Sequence, residues 1–62
     1  NMKYRDAILK KLDNVDSSLN RLNLTLNQGD RDGSYTVIET LREQIEQIKG
    51  YVEAEGMTGN EG

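Results

Sequence analysis

Ile8-Leu-Lys-Lys-Leu12-Asp-Asn-Val15-Asp-Ser-Ser-Leu19-Asn-Arg-Leu22-Asn-Leu-Thr-Leu26 sets its apolar residues alternately four and three positions apart. A second run, Ile38, Leu41, Ile45, Ile48 and Val52, repeats the pattern. That period is a coiled-coil heptad, and it predicts two amphipathic helices that need a partner along an apolar stripe. With Ile8 at position d, Leu12, Leu19 and Leu26 fall at a, and Val15 and Leu22 at d. In the second run Ile38, Ile45 and Val52 fall at a, and Leu41 and Ile48 at d.

Working outward, helix one is expected over 3–27 and helix two over 35–55, with a loop at 28–34. The first heptad phase, carried past Leu26, would put Gly29 and Gly33 on the stripe, so the helix must break between the runs. Asn27-Gln-Gly-Asp-Arg-Asp-Gly-Ser34 supplies the break, because glycine tolerates positive φ and Asp and Ser bond locally to backbone. Ser34, or Thr36 with Glu39 three residues on, is the expected cap of helix two. The glycine-rich stretch 56–62 is expected to be a flexible tail. Asn1 reads as an added residue ahead of a natural start at Met2.

A loop of this length, at the upper end for helix-to-helix connections, allows the helices to fold back, and an all-α antiparallel hairpin is expected. In such a pair a faces d, and the register in which paired numbers total 60 matches Leu22 with Ile38, Leu19 with Leu41, Val15 with Ile45, Leu12 with Ile48 and Ile8 with Val52. The same register sets Arg5 against Glu55 as an ion pair at the open end, while neighbouring registers bury one of those charges against an aliphatic chain. The β-branched residues at a in helix two also suit a parallel coiled coil, so a parallel trimer or an open chain is the competing arrangement.

Off this seam the two flanks differ. One carries Asp6, Asp13, Asp16, Glu39, Glu46 and Glu53 with Arg42 and Lys49, and reads as solvated. The other carries Tyr4, Val37, Gln44 and Tyr51 among small residues, with Lys11 and Arg21 as its only charges. Desolvating it costs little, so these four residues are the candidate interface through which two hairpins dimerise into a four-helix bundle. Size points the same way, since a chain of 62 residues with no cysteine has no disulfide to supplement a small core.

Composition narrows the chemistry. A net charge of −3 with scattered Lys and Arg argues against nucleic acid or an anionic membrane as partner. No apolar run reaches the roughly 20 residues of a membrane span, and no signal segment opens the chain, so a cytoplasmic protein is expected. Histidine, cysteine and tryptophan are all missing, and no constellation of acid, base and nucleophile can be drawn, so no enzymatic activity and no cofactor are expected. The segment 28–39 has partial likeness to an EF-hand calcium loop, with Asp30, Asp32, Thr36 and Glu39 at ligand places and Gly33 at the turn. Gln28 at the first ligand place and Tyr35 at the eighth depart from it, and a polar connector with a helix cap accounts for the same residues.

Met2-Lys-Tyr-Arg-Asp-Ala-Ile-Leu-Lys-Lys-Leu-Asp13, Leu19-Asn-Arg-Leu22 and Ile45-Glu-Gln-Ile-Lys49 resemble small heptad-type helical-hairpin proteins of T4-like tailed phages, including those of marine cyanobacteria. The resemblance implies a phage accessory or assembly protein of unknown function, acting in the host cytoplasm or in the particle, and carries over no functional residues. Three functions are therefore expected to compete. The leading one is a non-enzymatic, self-associating interaction module. The others are a calcium-binding hairpin and a small regulator that exchanges its own partner helix for one of a host protein.

Overall fold

The structure, a computed structural model, describes residues 3–56. Two helices, α1 (Arg5–Asn27) and α2 (Arg31–Ala54), pack as an antiparallel hairpin. The α2 helix starts four residues earlier than the sequence suggests, which cuts the connection from seven residues to Gln28, Gly29 and Asp30. The tail expected over 56–62 lies, past Gly56, outside the described residues.

The short joint has a definite chemistry. Gly29 takes a φ of 70°, a left-handed conformation available to glycine without steric penalty. Its N–H bonds Leu26 O at 3.1 Å, and the N–H of Asp30 bonds Thr25 O at 2.9 Å. These two bonds form a Schellman motif that satisfies the last carbonyls of α1. Asp30 then turns its carboxylate onto the N–H of Gly33 at 2.9 Å and caps α2. The cap is therefore Asp30 rather than Ser34 or Thr36. Those two residues lie inside α2, where their hydroxyls bond the carbonyls of Asp30 and Asp32, respectively.

Shielded positions define the packed face. Apart from the half-buried Ala7, Gly33, Thr40 and Val52 at its margins, these are Ile8, Lys11, Val15, Ser18, Leu22 and Thr25 of α1 with Tyr4 at its N-cap, and Ser34, Val37, Leu41, Gln44, Ile48 and Tyr51 of α2 with Glu55 at its C-cap. They still recur every three and four residues, but at positions d and g of the heptad rather than a and d. Each helix is thus turned about its own axis so that g, not a, meets the partner. Ser18 and Thr25, both at g, favour this choice, since their hydroxyls bond across the seam as aliphatic residues at a cannot. Ser18 donates to Gln44 Oε1 at 3.0 Å, and the hydroxyls of Thr25 and Ser34 lie 2.8 Å apart.

The register is close to the expected one. Thr25 meets Ser34, and the backbone N–H of Tyr4 donates to the Glu55 carboxylate; both pairs total 59. The expected ion pair of Arg5 with Glu55 is not formed. Arg5, at position a, turns away from the seam and reaches Asp6 at 3.5 Å, while Glu55 serves the exposed start of α1, where a carboxylate also opposes the positive end of the helix dipole. The open end is closed by the rings of Tyr4 and Tyr51, whose centroids are 5.3 Å apart.

Candidate functional site

Turning d and g inward leaves the a stripe outside. Of the seam residues expected from sequence, Ile8 is buried and Val15, Leu22, Leu41, Ile48 and Val52 are half-buried. Leu12, Leu19, Ile38 and Ile45 are not in the seam: Leu12 is 48% exposed, Leu19 49% and Ile45 47%, and Ile38 too is exposed. Leu26 joins them at 61%. Conversely, the candidate interface of Tyr4, Val37, Gln44 and Tyr51 lies in the seam, with Val37 the most deeply buried side chain of the hairpin at 2%. The physical reason is the same rotation, which exchanges the roles of a and g.

In an antiparallel pair like heptad positions fall on the same face of the hairpin, so the a stripes of α1 and α2 lie side by side. A groove of about 270 Å³ near the joint demonstrates it, because Leu26 of α1 and Ile38 of α2 line it together with Tyr35. Leu9 and Tyr35, at position e, extend the apolar surface at either end, and both are exposed. A second, shallower depression on the opposite face is lined by Tyr4, Lys11, Gln47, Gly50, Tyr51 and Ala54. It is the more polar of the two.

The balance between inside and outside is unusual for a lone domain. Only Ile8 and Val37 are buried apolar residues among those described, and each contributes about 1.5–3 kcal/mol on that account. Eight large apolar side chains are exposed among the described residues. Seven of them stand at positions a and e, and Leu24, at f, stands apart.

The calcium-loop residues are not gathered around a point. Asp30 spends its carboxylate on the N–H of Gly33, and Asp32, Thr36 and Glu39 are strung along the first turns of α2 over about 10 Å of helix axis. Among the described residues no three acidic or metal-ligating side chains converge. No described helix is long and apolar enough to cross a membrane.

No protein-family model, curated protein or solved structure matches this chain.

Proposed function

We propose that the protein is a non-enzymatic, self-associating helical-hairpin module. A homodimer forms a four-helix bundle, and the bundle presents its remaining surface to other proteins, in keeping with the accessory or assembly role that the resemblance to phage hairpins implies. One observation carries the reading: Leu12, Leu19, Leu26, Ile38 and Ile45, all at position a, are exposed, while the hairpin alone buries only two apolar side chains among the described residues. A core that small supplies little stability, and association is the remaining way to remove apolar surface from water.

The test is molar mass in solution. Size-exclusion chromatography with light scattering on the full chain at micromolar concentration should give twice the monomer mass of 7.0 kDa. A monomer at that concentration overturns the proposal.

A further inference from the structure

If self-association is right, the charges flanking the stripe decide how two copies meet. We infer that the second copy lies on the a face head to head, with both joints at the same end, so that α1 of each protomer runs against α2 of its partner. Two symmetric arrangements can cover the face with neighbouring helices antiparallel, as bundles prefer. In one, the two-fold axis runs along the hairpin and α1 meets the partner's α2. In the other, the axis crosses the hairpin, the joints lie at opposite ends, and α1 meets α1 while α2 meets α2.

Position e flanks the stripe, and its charges separate by helix. On α1 the charged e residue is Asp16; on α2 they are Arg42 and Lys49. Lys49 already pairs with Glu46 at 3.2 Å, whereas Asp16 and Arg42 have no ion-pair partner among the described residues, and both are exposed. An axis along the hairpin leaves heights unchanged, so the intrachain register applies between protomers too. Pairs totalling 59 are level, which sets Asp16 within one residue, about 1.5 Å, of the height of the partner's Arg42. The symmetric pair occurs twice. The crossed arrangement does the opposite: Asp16 lies near the middle of α1 and Arg42 near the middle of α2, so each meets its own copy. Like charges facing across a contact disfavour that partner geometry.

Spin labels at position 28, introduced by Gln28→Cys into the otherwise cysteine-free full chain, read the arrangement directly. Pulsed dipolar spectroscopy should give a distance under about 25 Å for joints at one end, against about 35 Å or more for joints separated by the length of a 23-residue helix. Asp16→Arg and Arg42→Asp should each raise the dimer Kd about three- to thirty-fold at low salt, and the double variant should recover most of the loss, an effect that fades as salt is added. A dimer with the long distance overturns the head-to-head arrangement while self-association stands. A short distance without recovery in the double variant overturns the pairing of Asp16 with Arg42. A monomer overturns both and leaves the face to the helix of a different protein.

Discussion

Ser18 donates its hydroxyl to Gln44 Oε1 at 3.0 Å from opposite helices, and Ser18 is 3% exposed. The bond crosses the middle of the seam, where the heptad reading puts aliphatic side chains. A net contribution of about 1 kcal/mol is ordinary for such a bond, and most of the penalty for losing one partner falls on the group left behind. Ser18→Ala should therefore destabilise by about 1 kcal/mol in urea unfolding at fixed protein concentration. Ser18→Ala combined with Gln44→Leu should return to within about 0.5 kcal/mol of the parent or exceed it, because no unpaired amide remains. A neutral single variant would show that the bond contributes nothing.

Asp30 is the capping residue of α2, and Thr36 is about one and a half turns inside it. Asp30→Ala should cost about 1 kcal/mol, within the 0.5–2 kcal/mol range of lost caps. Thr36→Ala should stay within about 0.5 kcal/mol of the parent, as exposed helix positions do. Thermal unfolding followed by circular dichroism at matched concentration distinguishes the two; equal losses would show that Asp30 has no special role.

Gly50 lies within α2, and a methyl group added there meets nothing within 4 Å. Gly50→Ala should stabilise by about 0.5–1 kcal/mol through helix propensity and reduced freedom of the unfolded chain. Gly29→Ala should do the reverse by about 1 kcal/mol, since it forces a left-handed conformation on a residue with a Cβ. Melting temperatures moving in opposite directions are the expected result.

Leu19 lies on the exposed a stripe, and Asn14 on the polar side of the same helix. Leu19→Glu should shift the sedimentation of the protein from dimer to monomer at micromolar concentration, because a charge would be desolvated in the contact. Asn14→Glu should leave it unchanged. The opposite pattern would place the contact on the other face.

The period of the pattern, the number of helices and their antiparallel sense were legible in the sequence, because Leu and Ile recur at 3.5-residue spacing and two glycines interrupt them. Which edge of the stripe turns inward was not. Position d belongs to both possible seams, and counting apolar residues favours Leu19 and Ile45 over Ser18 and Gln44. What favours the other edge is hydrogen bonding across the seam, from Ser18 to Gln44 and between Thr25 and Ser34, a long-range property that apolar counting does not register. The joint was misread for a more local reason. Ser34 is a good cap by type, but Gly29 followed at once by Asp30 already contains a helix stop and a helix start.

Asp30 ends one helix with its N–H and begins the next with its carboxylate. Kinetically, the turn is the expected folding nucleus of the hairpin. The joint is held by contacts between residues at most nine apart in sequence, from Thr25 to Ser34, whereas Tyr4 and Glu55 close a loop of nearly the whole chain. Short loops close first, and each further pair outward adds to a ladder already begun. Substitutions at Asp30 should therefore slow folding and leave the unfolding rate almost unchanged, while Tyr4→Ala should speed unfolding instead. Stopped-flow chevrons at constant protein concentration would separate the two arms; an Asp30 variant that acts on unfolding alone would move the nucleus elsewhere.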